Sequence, residues 1–109
     1  MNVISRPAIR KAQQRHADAA DWLDSWWAKA GKARWTSLAD VRADYSAADQ
    51  VGGCLVFDVK GNDYRLICGV TYAQDGKGGT LFVKHFLTHA EYKRTDGRTT
   101  ANDLRGTSR

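Results

Sequence analysis

The chain has 109 residues, 42% of them hydrophobic and 27% charged, which suffices for one domain and argues against a wholly disordered chain. No apolar run is long enough to span a membrane or to form a secretory signal. Two cysteines cannot build a disulfide framework or a zinc site. We therefore expect a cytoplasmic protein without a metal. The net charge of +5, from 17 Lys and Arg against 12 Asp and Glu, permits a polyanionic partner.

The chain begins with a predicted strand and a predicted helix. Residues 1–4 are short and partly β-branched, which favours a strand. Ser5 then offers an N-cap, and Pro7 falls in the first turn of the next helix, where its missing N–H costs little. We predict this helix over residues 6–16.

Two further helices are predicted before residue 50. Asp18 can cap the first of them, and Gly31 is a natural stop. Ser37 followed by Asp40 resembles a capping box at the start of a short third helix. An aromatic stripe along a helix is more typical of a core than of a nucleic-acid platform, and we interpret the tryptophans of the second helix in this way. They are Trp22, Trp26 and Trp27.

The second half of the chain predicts a three-stranded meander. Residues 54–60 and 63–72 read as strands around Gly61-Asn62, a dipeptide typical of a tight hairpin turn. A third strand is predicted over residues 80–88. We therefore expect an α+β fold, in which the N-terminal strand and two to three helices pack on one face of an antiparallel sheet that the meander completes.

We divide the chain into one domain and a tail. The predicted domain covers residues 1–94. Residues 95–109 are polar, with Leu104 as their only large apolar side chain, so we expect this C-terminal tail to be flexible.

A two-residue turn would set the register of the hairpin. Lys60 would then lie opposite Asp63, and Asp58 opposite Arg65 on the face away from the helices. The two cysteines would lie on opposite faces, which excludes a disulfide between them. The apolar pairs predicted to face the helices are Leu55 with Cys68, Phe57 with Leu66, and Val59 with Tyr64.

Arg65 is therefore expected to emerge on an open sheet face. It can serve a structural ion pair with Asp58, or its planar fork can meet a phosphate, and the pattern does not choose between the two. Strict alternation in the last strand favours Lys84 on the same face as Arg65, because a buried lysine is costly. His85 would then lie among aliphatic neighbours as a core histidine.

A polar cluster follows the last predicted strand. It combines a group that exchanges protons near neutral pH, a phenol that can stack on a base and two cations that can hold phosphates. The alternative, a polar strand exit with a solvated histidine, stays open. The residues are His89, Glu91, Tyr92, Lys93 and Arg94.

With these residues in this order, the sequence resembles the HigB-type toxins of type II toxin–antitoxin systems, within the RelE/ParE superfamily. The resemblance covers roughly residues 1–94 and implies a RelE-like fold. Its most specific feature is an Asn-x-x-Arg hairpin followed, after the final strand, by Thr-His-x-Glu-Tyr. The segments that carry it include Val56-Phe57-Asp58-Val59, Gly61-Asn62-Asp63-Tyr64-Arg65-Leu66 and Thr88-His89-Ala90-Glu91-Tyr92.

The resemblance implies an endoribonuclease that cuts messenger RNA, typically on the ribosome, by attack of a 2′-hydroxyl on the adjacent phosphate. Such chemistry needs a base, an acid and charge stabilisation, but no metal or other cofactor, because the attacking oxygen belongs to the substrate. Arg65 would stabilise the phosphate, His89 would act as base or acid, and Tyr92 would orient or stack on the nucleotide. Residues expected to contact RNA are Asn62, Lys84, Glu91, Lys93 and Arg94.

Two of these assignments have simpler alternatives. Asn62 can serve the turn alone, since asparagine tolerates positive φ. Glu91 can orient His89, or it can cap the short turn that follows the last strand.

The resemblance leaves other functions open. ParE-like relatives inhibit DNA gyrase, and a small RNA-binding module without catalysis would use the same sheet face. For a toxin we expect mRNA, the ribosome and a HigA-like antitoxin with a helix-turn-helix as partners. We also expect the toxin alone to be a monomer, and the antitoxin to contact the helical half and leave Arg65 and His89 partly open.

Overall fold

A mixed five-stranded sheet carries three helices on one face and a fourth helix on the other. The computed structural model describes residues 1–95 of the chain, and the side chains of residues 1–93. The predicted α+β fold is confirmed. In chain order the elements are β1 (Asn2–Ile4), α1 (Arg6–Arg15), a 3-10 turn (Ala17–Ala19), α2 (Ala20–Lys32), α3 (Leu38–Asp44), β2 (Asp49–Val51), β3 (Cys54–Val59), β4 (Tyr64–Thr71), β5 (Thr80–Thr88) and α4 (His89–Thr95).

The strands lie in the order β1-β5-β4-β3-β2. The predicted meander is present as β3, β4 and β5, whose neighbours run antiparallel. β1 pairs with β5 in parallel, which makes the sheet mixed. β2 was not predicted, because its three residues are all exposed and too few to show an alternation.

The predicted register of the β3–β4 hairpin is confirmed. Asp58 lies opposite Arg65, and the three apolar pairs face the helices as expected. The cysteines are buried in different clusters and form no disulfide. The turn differs from the prediction: the ladder ends one pair earlier, and positive φ angles fall at Lys60 (52°) and Gly61 (68°).

A β-bulge in β5 overturns the strict alternation that we predicted there. Ile67 lies opposite His85, whereas Cys68 lies opposite Val83, so one residue is left over between them. An extra residue reverses the alternation of side chains along the strand. The prediction of His85 as a core histidine is therefore wrong: it shares the face of Ile67 and is half-buried.

The extra residue of the bulge is Lys84. A Cβ atom built on Gly69 would lie 3.1 Å from Cε of Lys84, so the lysine side chain lies over that glycine. Gly69 and Arg65 are an even number of residues apart on β4 and point to the same face. The prediction of Lys84 on the Arg65 face is confirmed.

Two of the predicted helix caps are present. Ser5 caps α1, and the Ser37 hydroxyl caps α3 by accepting from the N–H of Asp40 at 3.5 Å. The carboxylate of Asp40 accepts from the backbone N–H of Thr36 instead of completing the box at Ser37.

The predicted ends of α2 are wrong. Asp18 does not cap the helix, because its carboxylate accepts the Tyr64 hydroxyl at 2.6 Å. The helix also continues through Gly31 to Lys32. No left-handed residue is needed there, since Ala33 continues in extended backbone.

The main core lies between the sheet and the first three helices. Trp26 of α2 is fully buried and meets Phe57 edge-on, with ring centroids 5.6 Å apart. Trp22 and Trp27 are half-buried against the same core. The tryptophan stripe therefore belongs to the core, as predicted. Within residues 1–95, no helix is long and apolar enough to cross a membrane.

A second core cluster occupies the opposite sheet face. It consists of Cys54, Val56 and Ile67, with Leu87 and Tyr92 packed against them. Tyr92 comes from α4, which was not predicted as a helix. The expectation of an open sheet face is therefore wrong at this end of the sheet. Residues 96–109 of the predicted tail lie outside the described residues.

Candidate functional site

Arg65 lies on β4, opposite Asp58 of β3 and Leu87 of β5. Its Nε is 3.1 Å from Oδ1 of Asp58, and its side chain is only 13% exposed. The Asp58 side chain is 33% exposed, so water still screens the pair in part. The ion pair, one of the two roles left open for Arg65, is present, and the expected exposure of Arg65 is wrong.

Asn62 holds the other end of the Arg65 guanidinium. Nη2 donates to the Asn62 side-chain oxygen at 2.5 Å, and Nη1 donates to the backbone carbonyls of Asn62 at 3.4 Å and Tyr64 at 3.2 Å. The suggestion that Asn62 only supplies positive φ is wrong, because Lys60 and Gly61 take that conformation. The hairpin turn thus presents Asn62 as a side-chain partner of the arginine.

Tyr92 covers the same arginine from α4. The centre of its ring lies 5.4 Å from Cζ of Arg65, a cation–π geometry. The ring also packs on the second core cluster. Arg65 is therefore fixed by a carboxylate, an amide and an aromatic ring, each from a different element.

His89 is the first residue of α4 and lies next to the hairpin turn. Its backbone N–H donates to the carbonyl of Asp63 at 2.8 Å, which ties the helix start to the turn that carries Asn62. Nδ1 of its ring is buried and has no hydrogen-bond partner among the described residues. Nη1 of Arg6 and Nε1 of Trp26 are likewise buried and unpartnered among these residues, so this feature is shared by other parts of the molecule.

Glu91 closes a capping box at the start of α4. Its carboxylate accepts the backbone N–H of Thr88 at 2.8 Å, and its own N–H donates to the Thr88 hydroxyl at 3.1 Å. This bond to the Thr88 backbone is the main reason that the pKa of Glu91 is lowered. Of the two roles suggested for Glu91, the capping role is the one present.

The capping box should make α4 sensitive to acid. A carboxylate with a lowered pKa in the folded protein stabilises it above the unfolded pKa, and that stability is lost as the pH falls through the folded pKa. We expect Glu91→Gln to lower the melting temperature at about pH 6, and we expect this difference from the parent to be smaller at about pH 3. Thermal melts at both pH values test this, and a difference that is the same at both would contradict it.

The structure brings four of the predicted site residues together. Arg65 contacts both Asn62 and Tyr92, and the backbone of His89 is hydrogen-bonded to the same hairpin turn. We call Asp58 and these four residues the Arg65–His89 site.

The remaining candidates lie around this site. Lys84 is exposed on the same sheet face, where it lies over Gly69, two residues after Ile67 of the second core cluster. Lys93 is exposed on α4. The side chain of Arg94 lies outside the described residues. Among residues 1–93, no group of three His, Cys, Asp or Glu side chains is placed to hold a metal ion.

Two features of the site were missed in the sequence. The Asp63 carbonyl, which anchors His89, left no signal because any residue can supply it. The helical start of α4 did have a signal, since Thr88-x-x-Glu91 is the capping-box pattern.

Most of this chain matches the model of a known protein family. A family model described as HigB_toxin, RelE-like toxic component of a toxin-antitoxin system, matches residues 19–95, which is more than half of the chain. The matched range contains the whole Arg65–His89 site. A search of the curated proteins gave no match.

Proposed function

The chain belongs to the HigB family of RelE-like toxins, the toxic components of toxin–antitoxin systems, and from that premise we propose that it is an endoribonuclease that cuts messenger RNA on the ribosome. The observation that carries the proposal is the Arg65–His89 site, in which a guanidinium held by Asp58 and Asn62 is joined through the hairpin turn to the helix start that carries His89. A fixed cation and a histidine are the groups that cleavage of a phosphodiester by a 2′-hydroxyl uses.

The proposed reaction is an attack of the substrate's own 2′-oxygen on the adjacent phosphorus. The P–O5′ bond breaks, which leaves a 2′,3′-cyclic phosphate on one fragment and a 5′-hydroxyl on the other. One proton leaves the 2′-hydroxyl for a base, and an acid supplies one to the departing 5′-oxygen. The extra negative charge on the phosphorane needs a fixed cation nearby.

Arg65 is our candidate for that cation. Asp58 holds Nε, so the planar fork is oriented before substrate arrives. The acceptors on the other two nitrogens are neutral oxygens of Asn62 and Tyr64. A phosphate oxygen is a stronger acceptor than a neutral amide, so we propose that substrate displaces the Asn62 side chain and takes its place on Nη2.

His89 is our candidate for proton transfer, as base or as acid. Its ring lies at the start of α4, and the Asp63 carbonyl fixes the backbone that carries it. Histidine is the side chain best suited to exchange protons near neutral pH. Lys93 and Arg94 remain predicted phosphate contacts, and Asn62, Lys84 and Glu91 remain predicted RNA contacts.

Tyr92 should act through its ring. The ring lies on the Arg65 guanidinium, and a cation–π contact of this kind is worth about 0.5–2 kcal/mol. We expect Tyr92→Phe to cleave RNA at a rate close to that of the parent, and Tyr92→Leu to be slower by about 2- to 30-fold. Single-turnover cleavage rates test this, and equal losses in the two variants would assign the effect to the hydroxyl instead.

Membership of the family implies an antitoxin partner. We propose a HigA-like protein with a helix-turn-helix that docks on the helical half of a monomeric, cytoplasmic toxin. The half-buried Trp22 and Trp27 of α2 support this surface, because aromatic side chains of this kind anchor interfaces. Docking there would leave Arg65 and His89 partly open.

One paired experiment separates the proposal from its alternatives. Purified protein is incubated with translating ribosomes, and transcript ends are mapped; in parallel, the protein is added to a gyrase supercoiling assay. We expect new transcript ends and unchanged supercoiling. Blocked supercoiling with intact transcripts would instead support a gyrase inhibitor, and RNA binding without either effect would support a non-catalytic module.

A further inference from the structure

A groove of about 270 Å³ lies between α1 and β5, on the far side of β5 from the hairpin that carries Arg65. α1 contributes Lys11, Arg15 and its C-cap His16, and β5 contributes residues 83–87. The proposed chemistry of the Arg65–His89 site does not use this groove.

The wall formed by β5 is the backbone edge of the strand. β1 pairs with β5 only as far as Phe82, and beyond that point no strand within residues 1–95 lies on this side of β5. The five lining residues are consecutive and include side chains from both sheet faces, so their shared edge faces the groove. Such an edge presents backbone N–H groups that can donate to a ligand.

The wall formed by α1 is basic. Lys11 and Arg15 are exposed, and neither makes an ion pair within the described residues. By contrast, Arg6 and Lys60 each pair with an aspartate. No Asp or Glu occurs among the described residues that line the groove. The charge of Lys11 is therefore available to an anionic ligand, whereas Arg15 also lies near enough to Glu91 of α4 to lower the pKa of that carboxyl.

An aromatic surface lies at the end of the groove. It consists of the half-buried rings of His16 and Phe86, whose centroids are 5.5 Å apart, and the His16 ring rests on the buried Tyr64 at 4.9 Å. Cations beside an aromatic surface are the combination with which proteins hold single-stranded nucleic acid.

The groove also adjoins the Arg65–His89 site. Leu87 lines the groove and lies directly opposite Arg65 in the sheet. Arg15 and His16 are close enough to act on Glu91, whose pKa is lowered mainly by its bond to Thr88 and further by these two groups. A strand of RNA at the site can therefore continue into the groove.

We propose that the groove between α1 and β5 binds the sugar–phosphate backbone of the single-stranded RNA that flanks the scissile phosphate. The inference rests on the proposed function, since it assigns the path of that function's substrate. Lys11 and Arg15 hold phosphates there, and the His16 surface contacts a base.

Binding of a short single-stranded oligoribonucleotide with 2′-O-methyl groups tests the proposal. This probe lacks the attacking hydroxyl, so its affinity is independent of cleavage. The test variant is Lys11→Gln with Arg15→Gln. The matched control is Lys32→Gln with Arg34→Gln, which removes the same two charge types from exposed positions outside the groove. Fluorescence anisotropy gives the dissociation constant at several salt concentrations, and melting temperatures verify the fold.

Loss of two phosphate contacts should weaken binding roughly 25-fold at about 0.1 M salt and make the plot of log K against log salt shallower by about 1.4. The control should match the parent. An unchanged affinity and slope in the groove variant, or no binding by the parent at low salt, would contradict RNA binding by the groove. If poly-glutamate of matched charge displaced the probe as well as RNA does, the proposal would also fail, and the groove would instead suit an acidic polypeptide. A parent protein that binds through the groove and cuts no RNA would overturn the proposed function alone.

Discussion

Arg65→Ala should lower the rate of RNA cleavage about 100- to 1,000-fold, the usual cost of removing a group that stabilises transition-state charge. Arg65→Lys should retain part of the activity, because a lysine supplies the charge but not the planar fork. Single-turnover cleavage and growth inhibition on induction measure both. Full toxicity in a soluble Arg65→Ala protein would remove Arg65 from the mechanism.

The same change should also cost some stability. Asp58 would lose its ion pair, and because it is 33% exposed we expect only about 1 kcal/mol, or roughly 5 °C in melting temperature. Adding Asp58→Asn to Arg65→Ala removes the stranded charge and should restore part of the melting temperature without restoring cleavage. Recovery of cleavage in the double variant would show that the single change acted through the fold.

His89→Gln should lower cleavage by about 100-fold or more, because glutamine keeps hydrogen-bonding groups but transfers no proton. The measurement is the cleavage rate per folded molecule, with the folded fraction determined by thermal melting. A lower melting temperature with an unchanged rate would assign His89 a structural role.

Chemical rescue gives a sharper test of His89. The smaller His89→Ala variant leaves space where the ring was, so added imidazole should recover part of the cleavage rate. A structural role would not respond in this way. The absence of rescue by imidazole, together with retained activity in His89→Gln, would contradict proton transfer by this residue.

The hairpin was predictable because its two faces differ. Any slip by one residue would have placed Asp58 and Arg65 among the buried side chains, so only one register suited the pattern. The face and the partner of Arg65 followed from that register alone.

The last strand was not predictable in the same way. Both of its faces are largely apolar, so the pattern gives no penalty for the inserted residue at Lys84. The bulge then turned His85 away from the main core. If one face of the strand were polar, the inserted residue would have shifted the polar positions by one, and the sequence would have shown it.

The cover over Arg65 was missed for another reason. The ring that covers Arg65 belongs to Tyr92 on α4. This helix has seven mostly polar residues, so only its Thr88-x-x-Glu91 capping box identifies it in the sequence. The contact of Asn62 with the guanidinium depends on turn geometry that shifted by one residue from the expected form.

The chemistry of the transcript ends tests the central claim most directly. Transcripts recovered from ribosomes incubated with the parent protein should carry 5′-hydroxyl and 2′,3′-cyclic phosphate ends at the new termini, and Arg65→Ala should produce few of them. Intact transcripts, or new ends that carry a 5′-phosphate, would contradict an endoribonuclease that uses the 2′-hydroxyl of its substrate.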